Sequence, residues 1–274
     1  MKKVGLYVFS LSTIAAGIMD LVWGDFESAH QPIQAFGDHI PGRKIFACIV
    51  AVCMVAGGAA MLSRRTARAG AAAVTAVYLI FVIFWLPRLY TAPHVLGFRT
   101  DVVVGVVAAI FQQLILVAAG VIAYGSADTR GLSSQKSLAV ARWTFGLGSV
   151  LFGWAHLTHL TRVQVVAPMV PKWMPFGGAF WAIATGICFM LAGIAILSSV
   201  QDVVAARLLG LMLLIFSLLV LAPDVFAFPR SHIAWGSNAY NLAAVGAAWM
   251  LGGAMASPRL KPECETEERF GHAS

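Results

Sequence analysis

The sequence predicts an all-α polytopic membrane protein, with eight transmembrane helices forming two parallel four-helix repeats. Three observations carry that prediction. Of 274 residues, 59% are hydrophobic and only 11% are charged, whereas soluble domains carry roughly a quarter charged residues. The apolar residues come in unbroken runs of the length, about 20 residues, needed to cross hydrocarbon. Val102 to Tyr124 and Leu208 to Leu221, for instance, contain no charged side chain. Third, the two halves of the chain match at a nearly constant offset. Backbone polar groups in lipid need internal partners, which leaves helices or closed barrels. Barrel strands are short and alternate, and these runs do neither.

The expected spans are 4–23, 45–63, 70–87, 101–124, 143–161, 178–198, 206–222 and 237–256. The first follows Lys2 and Lys3 and could pass for a cleavable signal peptide. Its match to an internal helix in the second half makes it a retained span instead. The third is short and is ended by Pro87, which cannot donate to a helix ladder. Gly125 to Arg142 is rich in Ser, Gly and charge and reads as a linker (125–142) between the repeats 1–124 and 143–256. Beyond Ser257 come Pro258, Pro262 and the acidic Glu263, Glu265, Glu267 and Glu268, so 257–274 reads as a disordered cytoplasmic tail.

The repeat rests on particular pairs. A shift of 136 aligns Phe9 with Phe145, Gly17 with Gly153, Leu21 with Leu157, Pro32 with Pro168, Pro87 with Pro223 and Pro93 with Pro229. A shift of 135 aligns Ala47, Cys53, Gly58, Ala60, Leu62 and Ser63 with Ala182, Cys188, Gly193, Ala195, Leu197 and Ser198. Four crossings per unit is an even number, so the units insert with like orientation about an axis along the membrane normal. Ala244, Ala248, Gly252 and Ala256 form a small-residue ridge on the last helix, a packing feature.

Charge sets orientation. The amino terminus, the even loops and the tail hold twelve Lys and Arg, and the odd loops hold seven. The richer side is expected to be cytoplasmic, which puts both termini there in a bacterial inner membrane. The net charge of +7 is spread over short loops rather than one face, which argues against nucleic acid as a partner. Cys48, Cys53, Cys188 and Cys264 include no Cys-x-x-Cys pair, so a thiol relay is not expected. They read as small hydrophobes of the bundle.

The opposite, outer side gathers the chemistry. It carries His30, His39, His94, His156, His159 and His232 with Asp20, Asp25, Glu27, Asp38, Asp101 and Asp224, flanked by Trp23, Trp154, Trp173 and Trp235. Its first loop, from Trp23 through Gln31 to Gly42, is long for a membrane hairpin and too polar to lie in lipid. Asp20 and His156 are counterparts under the 136 shift, and the expectation is that they line one polar pocket between the halves. There they would bind a proton, a polar headgroup or a quinone oxygen; the alternative is that both merely reach interfacial water. His156 and His159 sit one turn apart, too few ligands for a metal site, and haem is disfavoured. Gln112 and Gln113 lie midway along the fourth helix, either bonding a neighbour or lining a substrate path. Asn238 and Asn241 read as cap and interhelix groups. The candidate binding residues are thus Asp20, Trp23, Asp25, His156, His159, Gln112, Gln113 and Asn241, with no metal. No phosphate loop, nucleophile elbow or catalytic carboxylate pair is present.

Gly153-Trp154-Ala155-His156-Leu157, then Met169-Val170-Pro171-Lys172-Trp173-Met174-Pro175, then Phe180-Trp181-Ala182, Gly186 and Ala192-Gly193 resemble the four-helix DoxX family. The first half follows more loosely, with Ile40-Pro41-Gly42 and Gly57-Gly58. Together the two units span residues 4 to 256. The resemblance implies an inner-membrane four-helix architecture and, for some members, quinone-coupled oxidation of sulfur compounds. Members active in disulfide chemistry use a Cys-x-x-Cys pair that this chain lacks. Three functions follow as expectations: a redox- or quinone-associated subunit with a membrane or periplasmic partner protein, a binder or transporter of a small lipophilic molecule in the cleft between repeats, or a non-catalytic scaffold. Whether the chain is an enzyme is left open.

Overall fold

A computed structural model describes residues 2–31, 41–127, 134–158 and 170–256. Among the described residues the regular structure is all helical: α1 (Lys2–Trp23), α2 (Arg43–Leu62), α3 (Ala67–Trp85), α4 (Arg88–Leu96), α5 (Thr100–Ser126), α6 (Ser134–Thr158), α7 (Gly177–Ser198), α8 (Asp202–Phe216), a π-helical turn (Ser217–Leu221), α9 (Ala222–Ala227) and α10 (His232–Ala256). Seven spans are long and apolar enough to cross a membrane: α1, α2, α3, α5, α6, α7 and the continuous Asp202–Ala227 segment. The chain is a multi-pass membrane protein.

The segment expected as an eighth span is the helix α10, which is not among those seven and begins at His232 rather than at 237. Its composition explains the difference. It touches α1, α5, α6 and α8, so most of its surface meets protein, and small residues serve it better than greasy ones. Gly236, Ala239, Ala243, Gly246, Ala247, Ala248, Gly252 and Gly253 are all buried. Gly252 of the expected ridge does pack on Ala206 of α8. A closer approach lies on another face, where Gly246 meets the Phe9 backbone of α1.

Two further boundaries moved for physical reasons. α6 starts at Ser134, inside the expected 125–142 linker. Polarity there marks where the helix leaves lipid, not where it ends: Arg142 donates to the Ile196 carbonyl at 3.0 Å and to Ser199, tying α6 to the α7–α8 turn. Pro87 does end a helix, since α3 stops at Trp85 and Pro87 caps the short α4. Pro223, its counterpart, sits in the first turn of the six-residue α9, which continues from the π-helical turn.

Each long helix packs on the next in the chain, and α10 closes the ring on α1 while also touching α5 across the middle. The crossings of α1 on α2 and of α6 on α7 use the same positions. A methyl group on Gly17 would stand 2.7 Å from the Ala51 carbonyl, and one on Gly153 would stand 2.5 Å from the Gly186 carbonyl. Higher up the same pairs, Gly58 lies against Ser10 and Ile14, and Gly193 against Gly146 and Val150. Such contacts hold helices together in lipid by close packing. Cys48, Cys53 and Cys188 are free thiols; Cys53 and Cys188 face outward rather than into the bundle.

Candidate functional site

The site lies where the last turn of α1 meets the first turn of α10. Beyond Trp23, Gly24 adopts a left-handed conformation (φ 62°), and the chain folds back between helices instead of continuing outward. Phe26 anchors this return, fully buried with its ring 5.4 Å from Phe46 and 6.0 Å from Phe81. A loop can lie inside a bundle only if its backbone is satisfied, and here Glu27 does that work. Its carboxylate accepts from the amides of Ala29 (2.7 Å) and His30 (2.8 Å) and lies 2.7 Å from His30 Nδ1. Gln31 N–H donates to the Glu27 carbonyl at 3.0 Å, and Glu27 N–H donates to Gln31 Oε1 at 2.6 Å. Trp85 Nε1 from α3 and Gln113 Nε2 from α5 both donate to the His30 carbonyl at 3.0 Å. Gly236 on α10 leaves the space Glu27 fills; a side chain there would overlap Glu27 Cγ.

Asp20 sits at the centre, 1% exposed. Gln31 Nε2 donates to its Oδ2 at 2.6 Å, and His232 Nε2 lies 3.1 Å from its Oδ1. A carboxylate taken out of water is tolerable only with such partners. The His232 ring stacks on Trp23, with centroids 4.9 Å apart and planes 3° from parallel. Its side chain is 13% exposed, so the imidazole spans from the buried carboxylate to the rim, and its Nδ1 has no partner among the described residues. Asp25 accepts from Phe26 N–H and pairs with Arg43 of α2 at 2.5 Å, fastening the fold-back at the surface.

Beneath Asp20, the Tyr240 ring stacks on His30 at 4.9 Å. Tyr240 and Tyr78 are edge to face at 6.3 Å, and the Tyr78 hydroxyl lies 3.3 Å from Thr13 Oγ1. The Tyr240 hydroxyl lies near the Gln31 side chain without a well-formed hydrogen bond, and Gln113 Oε1 is buried without a hydrogen-bond partner among the described residues. Two carboxylates, two imidazoles and two phenols thus share one desolvated region, an arrangement suited to taking up and releasing protons.

The structure unites Asp20, Trp23, Asp25 and Gln113 from the expected set, and separates His156 from them. Asp20 and His156 make no direct contact. His156 Nδ1 lies 2.8 Å from the Phe152 carbonyl of its own helix, and its ring packs on Phe189. The expected Asp20–His156 pocket is therefore replaced by an Asp20–His232 pair: α1 packs on α2 and α10, whereas α6 packs on α5 and α7. Gln113 bonds the folded-back turn rather than a neighbouring helix, and Gln112, half-buried, makes no hydrogen bond among the described residues. Asn241 donates to the Leu213 carbonyl (2.8 Å) and to Ser217 Oγ (3.1 Å), and Ser217 donates to Asn238 Oδ1 at 2.6 Å. Both asparagines are interhelix groups, but neither is a cap, because α10 starts several residues earlier. His159 lies outside the described residues. Gln31, Tyr78 and Tyr240 gave no signal in the sequence beyond polar atoms near or within apolar runs. Among the described residues no three His, Cys, Asp or Glu side chains converge as a metal site requires.

No family model matches the chain, and neither does any curated protein or solved structure.

Proposed function

We propose that this chain is an eight-span bacterial inner-membrane subunit, built as two tandem, like-oriented DoxX-like units, that exchanges a proton with a quinone headgroup at Asp20 and His232. The tandem reading is supported by the matched glycine crossings of α1 on α2 and α6 on α7, by the proline-started helices α4 and α9, and by the ring order of the bundle. Eight spans follow if α10 crosses within the shelter of its neighbours. The excess of Lys and Arg at the termini and even loops then places both termini in the cytoplasm and the Asp20 region on the outer side.

The observation that carries the function is the Asp20–His232 pair. The buried carboxylate holds one ring nitrogen of His232 and leaves the other directed to the rim beside Trp23. An imidazole oriented this way accepts a proton from a hydroxyl at its free nitrogen, and the carboxylate stabilises the cation that forms. A hydroquinone reaching the interface presents such a hydroxyl, and a partner oxidoreductase in the membrane or periplasm takes its electrons. Trp23 offers a flat surface for the ring. Transport through the cleft between repeats receives less support. The polar side chains lead from Asp20 into the α1–α10 side of the bundle and not past Gln112, and below them Gly5, Gly246 and Met250 are in backbone contact.

The test is extraction of co-purifying lipids and quinones, with an oxidised-minus-reduced absorbance spectrum, from wild type and Asp20→Asn. Enriched quinone in the wild type and its loss in the variant are expected. An extract with no quinone enrichment ends the quinone reading.

A further inference from the structure

The folded-back turn carries a second carboxylate and imidazole, built like the Asp20–His232 pair. The Glu27 carboxylate is buried and lies 2.7 Å from His30 Nδ1. It already accepts from two backbone N–H groups, so it is an acceptor and the ring donates to it. That fixes the tautomer: Nδ1 carries the hydrogen and Nε2 keeps its lone pair. Nε2 has no partner among the described residues, and the His30 side chain is 18% exposed, against 13% for His232. Each ring lies against an aromatic face, His232 on Trp23 and His30 on Tyr240, both with centroids 4.9 Å apart. Gln31 joins the two units: its Nε2 donates to Asp20 and its Oε1 accepts from Glu27 N–H, each at 2.6 Å.

The turn does not need this imidazole to hold its shape. Glu27 satisfies the amides of Ala29 and His30, while Trp85 and Gln113 bond the His30 carbonyl. None of those bonds involves a ring atom of His30, and a phenyl ring would stack on Tyr240 as well. An imidazole held at one nitrogen by a buried carboxylate, with the other nitrogen open, is the arrangement of a general base.

We propose that Glu27–His30 is the second base of this site, which takes both protons of one hydroquinone, one on His232 Nδ1 and one on His30 Nε2. The proposal rests on the reading of Asp20 and His232 as a proton-exchanging pair and adds the stoichiometry. As the hydroquinone is oxidised, both of its O–H bonds break and one proton passes to each imidazole. Two electrons pass to the partner oxidoreductase, and the ring leaves as the quinone. Before that step each hydroxyl donates a hydrogen bond to one neutral imidazole. A protonated imidazole cannot accept that bond, so binding is linked to the loss of two protons. The other titratable or charged groups around the two rings are Tyr240 from α10, Tyr78 from α3 and Arg88, whose guanidinium lies 5.1 Å from the Trp85 ring. The Arg43–Asp25 pair closes the α2 side, α5 contributes the neutral Gln113, and Asp224 and Arg230 stand exposed before His232.

Decylubiquinol binding to the full chain in phosphatidylethanolamine–phosphatidylglycerol nanodiscs, measured as pH is lowered through the histidine range, tests this. The wild-type Kd is expected to rise towards about a hundredfold per pH unit, and about tenfold in His30→Gln or His232→Gln, each of which keeps a neutral donor to its carboxylate. A wild-type slope of about tenfold, or one that His30→Gln leaves unchanged, overturns the second base and leaves the Asp20–His232 pair standing. Tighter binding at low pH means that the imidazoles donate rather than accept, and overturns the two-base assignment as well. Failure of decylubiquinol to bind at any pH overturns the quinone reading itself, and this inference with it. Should His30→Gln not fold, histidine nitrogen NMR of the wild type decides, with His30 assigned through its His–Gln peptide bond, which occurs once in the sequence. Bound decylubiquinol is expected to hold the His30 ring neutral to lower pH; a His30 titration that the ligand does not shift overturns the proposal.

Discussion

The corner formed by α1 and α2 and the corner formed by α6 and α7 are packed alike and equipped differently. In both, a glycine near the end of the first helix seats against the backbone of the second, and a glycine of the second seats against the first. Near the end of the first helix stands a polar residue, Asp20 in one corner and His156 in the other. Asp20 is closed in by Gln31 and His232, whereas His156 turns to its own helix and to Phe189. The framework therefore does not decide the chemistry. What the neighbouring segments bring does: a turn that folds back beside α1, and the start of α10 on its other side.

The largest expected effect tests whether the two corners are packed alike. Gly17→Leu and Gly153→Leu each force a side chain against a backbone carbonyl that cannot yield. Each is expected to destabilise the protein by about 2–3 kcal/mol, read as a downward shift in the denaturant midpoint in mixed micelles. A clear difference between the two would show that the crossings are not equivalent.

Next comes the difference in chemistry. Asp20→Ala strands the Gln31 amide and one His232 nitrogen and is expected to cost about 2–3 kcal/mol, against less than about 1 kcal/mol for His156→Ala. Because the two side chains do not touch, the double variant should be additive within about 0.5 kcal/mol. Coupling well above that would restore a shared site.

A smaller effect separates Gln113 from Trp249, its counterpart under the 136 shift. Gln113 donates to the His30 carbonyl and Trp249 to the Arg207 carbonyl, at 3.0 and 3.2 Å. Gln113→Leu and Trp249→Phe should each cost about 1 kcal/mol. Only the first should speed amide hydrogen exchange across residues 24–31; equal exchange in both would remove Gln113 from the clamp. The smallest change is Arg43→Ala. Loss of a surface pair with Asp25 should cost below about 1 kcal/mol and loosen the same turn slightly in the same exchange experiment.

Helix identity was legible because hydrocarbon imposes long apolar runs, and Pro87 marked a break through its missing donor, whereas helix runs on through Pro223. Helix ends were less so. Lys136 and Arg142 look like linker residues by charge, yet helix extends through them, since a helix leaving lipid can remain a helix in water. α10 was harder again, because a helix shielded by protein drops the greasiness that betrays its neighbours. Of the site, Asp20, Trp23, Asp25 and Gln113 could be singled out as polar or interfacial groups in costly places. Their partners could not. Offset matching paired Asp20 with His156 because it compares positions along the chain and not adjacency in space; the ring order put His232, 212 residues away, beside Asp20 instead. Gln31 could not be foreseen as buried, because only the Glu27 turn makes a buried loop backbone acceptable.

Closure of the ring by α10 has a bearing on biosynthesis. Chains emerge from the ribosome amino end first, so α1 enters the membrane long before His232 and Gly236 exist. During that interval the carboxyl group of Asp20 lacks half its eventual coordination, and Glu27 lacks the niche it will occupy. Nascent molecules arrested before α10 would thus expose an acidic flaw near the membrane surface, the kind of defect that quality-control proteases can use to tell unfinished copies from finished ones.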